Sequence, residues 1–114
     1  LSSTDNVDTS DNITVALFSI SEFRSAKLLI EVDGEDGSGN RVVEAAEAVV
    51  THDGSTNGRI TTYGVVQSND NQTLQATYSV TVSSGNLNLV ITPAGIHNVQ
   101  FDARVTWQGM VTTT

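Results

Sequence analysis

The sequence predicts an all-β domain: an antiparallel β-sandwich of about seven strands, immunoglobulin-like or jelly-roll-like. Three observations support this fold class. Apolar and polar residues alternate with a period of two in several segments, which turns one face of each strand to a core and the other to water. Val, Ile and Thr dominate these segments, and β-branched residues favour strands over helices. Clusters of Gly, Asn, Asp and Ser separate the apolar runs, as turns do.

Seven segments carry the strand pattern. In chain order they are residues 13–20, 26–32, 42–50, 59–66, 74–82, 87–91 and 99–107. The alternation is less regular in 13–20 and 59–66, where turn residues mark the ends. The segment 42–50 also suits a helix, because Val42, Ala46 and Val49 would share one helical face. We predict a strand there because strands flank it on both sides.

The apolar faces of these strands define a predicted core between two sheets. Its main members are expected to be Leu28, Ile30, Val80, Leu89, Phe101 and Val105. Between the segments 74–82 and 87–91 lies Ser84-Gly85-Asn86, a short turn that predicts a tight β-hairpin.

The chain divides into three parts by composition. Residues 1–12 are polar and acidic and are predicted to be a flexible N-terminal arm or linker, from which Val7 could reach a neighbouring subunit. Residues 13–110 form the predicted sandwich domain, and 111–114 a C-terminal tail. Because the chain begins with Leu1 rather than Met, we expect a processed protein or a segment of a longer polypeptide.

Charge and composition argue against several classes of partner. The chain has 13 acidic and five basic residues, with a formal net charge of −8. It lacks the basic stripe that neutralises phosphates, so we expect no nucleic acid and no anionic membrane as partner. There is no cysteine for a thiol nucleophile, a disulfide or a Cys-ligated zinc ion.

The pair His52-Asp53 is the strongest candidate for catalysis, with Ser25 or Ser55 as nucleophile. Adjacent residues of a strand point in opposite directions, so Asp53 is badly placed to orient the His52 ring. We therefore interpret Asp53-Gly54 as the start of a turn and predict that the protein is not an enzyme.

An acidic loop, residues 33–40, is the only candidate metal site. Asp33, Glu35 and Asp36 are weak calcium candidates, because calcium prefers oxygen ligands from flexible loops. A solvated loop between two strands explains the same residues, and no cofactor is predicted.

Further candidates concern interfaces. Arg24 and Lys27 could pair with acidic groups of another subunit, such as Glu47, or could simply lie on a wet face. Trp107 and Val111, with Val7 of the arm, complete the interface candidates. Trp107 and Tyr63 could instead form a sugar-stacking platform, but Trp107 is in register with the apolar face of its segment, which favours burial.

Three blocks of the sequence carry a resemblance to a known family. They are Phe23-Arg24-Ser25-Ala26-Lys27-Leu28-Leu29-Ile30, Val49-Val50-Thr51-His52-Asp53-Gly54-Ser55 with Thr61-Thr62-Tyr63-Gly64, and Ser84-Gly85-Asn86-Leu87-Asn88-Leu89-Val90-Ile91-Thr92-Pro93. In that order they resemble a β module that recurs in structural proteins of tailed bacteriophages, notably those of marine bacteria. The resemblance covers roughly residues 11–106.

The resemblance implies a non-enzymatic structural protein of the virion: a tail, neck or fibre module, or a capsid decoration. Such a module would act by self-assembly and by docking to other virion proteins, as a homo-oligomer in the particle. The alternative is a sandwich that binds a carbohydrate or receptor through its loops, with or without calcium.

Overall fold

The computed structural model describes residues 2–4, 12–35, 40–69, 75–93 and 102–111, and these form eight strands. The strands are β1 Ser2–Thr4, β2 Ile13–Ser19, β3 Phe23–Glu35, β4 Arg41–His52, β5 Gly58–Gln67, β6 Ala76–Ser83, β7 Asn86–Pro93 and β8 Asp102–Val111. The seven longer strands correspond to the seven predicted segments. In the described part of the chain, no helix has the length and apolarity to cross a membrane.

Two antiparallel sheets pack face to face, which confirms the predicted sandwich. One sheet has the order β1-β8-β3-β4-β5 and the other the order β2-β7-β6. Strand β3 lies at the centre of the larger sheet. It pairs with β4 from Ser25↔Thr51 to Glu35↔Arg41, and with β8 from Phe23↔Val111 to Asp33↔Asp102.

The core lies between the sheets and follows the alternation of the sequence. On β3, Ala26, Leu28, Ile30 and Val32 are at most 1% exposed, because every second side chain points inward. The opposite sheet contributes buried side chains from β2 and β7: Ile13, Val15, Leu17, Phe18, Leu87, Leu89 and Ile91.

Four predicted core residues are buried: Leu28, Ile30, Leu89 and Val105. Val80 is partly buried and packs against the core, because β6 is the edge strand of the smaller sheet. Phe101 lies outside the described residues.

The segment that also suited a helix is a strand, as predicted. In β4, Val42, Glu44, Ala46, Ala48 and Val50 all point inward with at most 1% exposure. β4 pairs with β3 on one edge and with β5 on the other. These two sets of backbone hydrogen bonds outweigh the helix propensity of Ala and Glu.

The predicted hairpin joins β6 to β7. Ser84 and Gly85 both have positive φ, 55° and 77°. Positive φ at both central residues is the mark of a type I′ turn, whose twist matches that of the flanking strands. Strands β6 and β7 pair from Ser83↔Asn86 to Ala76↔Pro93.

The termini differ from the predicted boundaries. Ser2–Thr4, which the composition assigns to a free arm, pair with β8 of the same chain from Ser2↔Val105 to Thr4↔Ala103. The unpaired edge of β8 can accept polar residues, because backbone groups alone make the ladder. Val111, assigned to the tail, pairs with Phe23 at the end of β8. Val7 and residues 112–114 lie outside the described residues.

An aromatic cluster closes one end of the sandwich. The rings of Phe18, Phe23 and Trp107 contact one another with centroid distances of 5.2 to 5.5 Å, in tilted or edge-on arrangements. Phe23 lies directly against Gly109, where a Cβ atom would be 2.7 Å from the Cγ atom of its ring. Gly109 is therefore required by the close approach of this ring.

Substituting Gly109→Ala should destabilise the fold by about 1–3 kcal/mol, because the Phe23 ring cannot move without disturbing Phe18 and Trp107. Gly64→Ala is the matched control, since a Cβ atom there meets nothing within 4 Å. Chemical denaturation should show G64A unchanged or stabilised by up to about 1 kcal/mol. Equal stability of the two variants would contradict the packing described for Phe23.

Candidate functional site

The outward-pointing side chains of β8, β3, β4 and β5 form a surface that we call the outer sheet face. Five of the six large apolar side chains that are exposed in the described residues lie on it. They are Leu29 (52% exposed), Val49 (44%), Tyr63 (52%), Val66 (71%) and Met110 (65%). A solvated sheet face is normally polar, so a concentration of exposed apolar side chains is a candidate interaction surface.

Lys27, Glu47 and Tyr63 form a polar cluster at the centre of this face. The Lys27 Nζ atom is 3.2 Å from Glu47 Oε2, and the Tyr63 hydroxyl donates to the same oxygen at 3.4 Å. The Glu47 carboxylate raises the pKa of Lys27. The sequence interpretation offered Lys27 either as a partner of an acid in another subunit or as a residue of a wet face. In the structure its partner is Glu47 of the same chain, which lies diagonally from it on the neighbouring strand.

A β-bulge orients Tyr63. The pairing of β5 with β4 shifts between Glu47↔Gly64 and Ala48↔Thr62, so Tyr63 is an extra residue in β5. Bulges redirect a side chain and increase local twist. Here the bulge brings the Tyr63 hydroxyl to Glu47.

Positive and negative charges balance on the outer sheet face. Its described side chains include four cations, Lys27, Arg41, Arg59 and Arg104, and four carboxylates, Glu31, Asp33, Glu47 and Asp102. Arg41 binds Asp33 with two hydrogen bonds, Nε to Oδ1 at 2.9 Å and Nη2 to Oδ2 at 2.5 Å. Cations and carboxylates are therefore equal in number among the described side chains of this face.

The remaining interface candidates lie elsewhere. Arg24 is exposed and lies over Gly54, whose φ is +82°; a Cβ atom there would collide with the Arg24 guanidinium group. Trp107 points inward to Phe18, so it faces the opposite side of the sheet from Tyr63. The hypothesis that both aromatic rings form one sugar-stacking platform is therefore wrong.

Both ring nitrogens of His52 take part in local structure. Nε2 is 2.5 Å from the carbonyl oxygen of Phe23, which can only accept, so Nε2 carries the proton. Nδ1 then accepts a hydrogen bond from the Gly54 N–H at 2.9 Å. His52 is 5% exposed and bridges the ends of β3 and β4.

Asp53 organises the turn that follows. One carboxylate oxygen accepts backbone N–H groups of Ser55, Thr56 and Asn57 at 2.9 to 3.1 Å, and the other accepts the Asn57 side chain at 2.8 Å. These bonds, above all those from Asn57, lower the pKa of Asp53 to about 2. Asp53 thus bonds its own turn and not the His52 ring, as the strand geometry predicts.

Neither predicted nucleophile contacts His52 through a described hydrogen bond. The Ser25 hydroxyl donates to Thr51 Oγ1 at 3.0 Å, and the backbone N–H of Ser55 donates to Asp53. These hydrogen bonds of His52, Asp53 and Ser25 join β3 to β4 or close the turn after β4.

The calcium candidates are only partly described. Asp33 is bound to Arg41, whereas the Glu35 side chain and Asp36 lie outside the described residues. Within the described ranges, no group of three or more His, Cys, Asp or Glu residues is arranged to hold a metal ion. The calcium site stays a prediction.

Glu44 is a fully buried carboxylate that links the two sheets. It accepts hydrogen bonds from the Gln67 side chain at 2.9 Å, the Gln75 N–H at 3.1 Å and the Tyr78 hydroxyl at 3.2 Å. Burial, and next the charge of Glu44, raise the pKa of Tyr78. An open groove of about 300 Å³ runs beside this cluster and is lined by Glu44, Thr62, Val65, Ala76, Thr77 and Tyr78.

A solved structure of a larger phage protein contains a similar fold. No protein-family model and no curated protein matches the chain. Among solved structures, the tailspike protein of the Acinetobacter phage vB_ApiP_P1 matches with a TM-score of 0.60 and 18% identity over 97% of this chain and 22% of that one. The tailspike protein of the Acinetobacter baumannii phage AM24 matches with a TM-score of 0.45 and 10% identity, over 96% of this chain and 24% of that one. The chain spans less than a quarter of each.

The sequence interpretation named Tyr63 but missed the other four exposed apolar residues of the outer sheet face. Three of these four, Leu29, Val49 and Val66, belong to pairs of consecutive apolar residues: Leu28-Leu29, Val49-Val50 and Val65-Val66. In a strand, two consecutive apolar residues must point to opposite faces. Each such pair therefore places one apolar side chain on the outer surface or edge, a signal that was present in the sequence.

Substituting Glu44→Ala should destabilise the fold by about 3 kcal/mol or more, because three donors would lose their buried acceptor. Glu47→Ala is the matched control, an exposed glutamate on the same strand whose loss should cost less than about 1 kcal/mol. Urea denaturation of both variants measures the difference. Similar costs would show that the Glu44 hydrogen bonds do not tie β4 to β6.

Asp53 should make stability depend on pH at the acid end. Because its folded-state pKa of about 2 lies below the ordinary value of 3.8, its stabilisation is complete above that value and is lost as the pH falls through about 2. The difference in Tm between wild type and Asp53→Asn should be largest above pH 4 and shrink toward pH 2. Ser55→Ala is the control, because it keeps the backbone donor; a pH-independent D53N difference would contradict this account.

Proposed function

We propose that the chain is a non-enzymatic structural module of a phage virion protein, most simply of the tail. One observation carries the proposal: 97% of the chain shares its fold with 22% of a phage tailspike protein. A sandwich of this size is thus known as one part of a larger tail protein. The sequence blocks that resemble phage structural modules support the same assignment.

The local chemistry supports a structural role. His52 bonds the Phe23 carbonyl and the Gly54 N–H, and Asp53 bonds its own turn. Residues that could have served catalysis are used to join β3 to β4 and to shape the loop after β4. The module would act by packing against copies of itself and other proteins of the extracellular particle.

A second function is favoured by Tyr63 alone. Its ring is about half exposed, 52%, beside the carboxylate of Glu47 and the ammonium group of Lys27. An exposed aromatic ring among polar groups suits the apolar face of a sugar. A carbohydrate- or receptor-binding module is therefore the alternative, and binding of a glycan that is lost in Tyr63→Ala would favour it.

Immunogold labelling of virions that carry this sequence tests the structural proposal. Affinity-purified antibodies against the chain should label the tail in electron micrographs, and antibodies pre-adsorbed with the chain should not. Label confined to the capsid would overturn the tail assignment in favour of a decoration. The absence of label from both intact and disrupted particles would overturn the virion role.

A further inference from the structure

The basic residues of the chain are unevenly distributed. The outer sheet face carries four cations and four carboxylates among its described side chains, whereas the whole chain has five basic and 13 acidic residues. Four of the five basic residues of the chain therefore lie on this one face. Arg24 is the basic residue that remains.

This distribution selects the surfaces through which two copies can meet. Like-charged surfaces repel, and mixed charges that can pair across an interface do not. Two copies that each carry a net charge of −8 repel one another, so a contact between them needs a surface where cations can meet carboxylates. Two outer sheet faces provide this, because each described cation of one copy can face a carboxylate of the other.

The same face holds the exposed apolar residues that an interface requires. Lys27 pairs with Val49, and Leu29 with Glu47, across β3 and β4, so Leu29 and Val49 are diagonal neighbours at the centre of the sheet. Their exposed fractions are 52% and 44%. Tyr63 and Val66 extend the apolar surface toward β5. At the centre of the face, the apolar residues Leu29 and Val49 thus alternate with the charged residues Lys27 and Glu47, so both kinds of contact are available to a partner.

The size of the face is sufficient for a weak, specific contact. Four strands about 4.8 Å apart, with about eight residues each at roughly 3.3 Å per residue, give about 500 Å² per copy. A pair of copies would bury roughly 1,000 Å², at the lower end for specific interfaces. A contact of this size gains strength when several copies are held together in a particle.

We propose that the outer sheet face docks on the same face of a second copy of this chain. The contact is isologous: each copy presents Leu29 and Val49 to the other, and Lys27 of one copy lies near Glu47 of its partner across a two-fold axis. A strongly acidic or basic partner could pair with only one sign of charge on this face, whereas a second copy brings both signs. This inference deepens the proposed function, on which it rests for its setting in a particle.

Analytical ultracentrifugation of the purified chain, from micromolar to millimolar concentration, tests the contact. Wild type should form a dimer in a concentration-dependent manner. The variant L29E/V49E should weaken association by about tenfold or more, because two carboxylates would be buried in each copy's face. The control T77E/T81E adds the same charge to exposed positions of β6 and should associate like wild type. Circular dichroism checks that both variants are folded.

A mixing experiment tests the pairing of charges. K27E places two carboxylates at the centre of the face, and E47K places two ammonium groups there, so each variant alone should stay monomeric. An equimolar mixture should form a heterodimer. A monomeric wild type at millimolar concentration, equal association of L29E/V49E and T77E/T81E, or a mixture that stays monomeric would overturn the docking proposal. Since immunogold labelling does not depend on self-association, its result separates failure of this contact from failure of the virion assignment.

Discussion

The register of β3 is the constraint on which the other features depend. This strand is paired on both sides, with β4 along 11 positions and with β8 along most of its length. A slip by one residue would turn Leu28 and Ile30 to water and Lys27 and Glu31 to the core, so neither edge can move independently. The same register that buries the aliphatic core also places Lys27 beside Val49 and opposite charges next to one another on the outer sheet face.

Two buried polar side chains, Glu44 and His52, add hydrogen bonds that the aliphatic core cannot make. Glu44 ties β4 to the opposite sheet through Tyr78, and His52 ties the end of β4 to the start of β3. Glu44 and His52 both occupy inward positions of β4, where the apolar–polar alternation of a strand predicts an apolar residue. A buried polar group costs free energy unless it is fully hydrogen-bonded, and these groups bond donors or acceptors that no aliphatic side chain could satisfy. They therefore fix the position of β4 relative to β6 of the opposite sheet and to the start of β3.

The sequence was sufficient for the strands and the sheet class, because both follow from local alternation and turn chemistry. It predicted β4 correctly against good helix propensity, and the Ser84-Gly85 hairpin from its turn residues. The order of the strands in the sheets could not be predicted from the sequence. For example, β1 pairs with β8, about 100 residues away, through backbone hydrogen bonds that require no particular side chains. The site was harder still. Lys27 and Glu47 were named, but that they meet within one chain depends on the β3–β4 register, and Leu29 and Val49 become neighbours only in the folded sheet.

The proposed contact between two copies of an acidic chain must overcome their electrostatic repulsion. A net charge of −8 makes separate copies repel one another. Four of the five basic residues lie on the outer sheet face, so this is the surface where cations of one copy can meet carboxylates of the other. While that face is exposed to water, its charged groups pair within the chain, Lys27 with Glu47 and Arg41 with Asp33. Exposed pairs contribute little to folding, so their partners can be exchanged across an interface at small cost. In the proposed contact, the paired charges would thereby select the orientation, and Leu29 and Val49 would supply the apolar attraction.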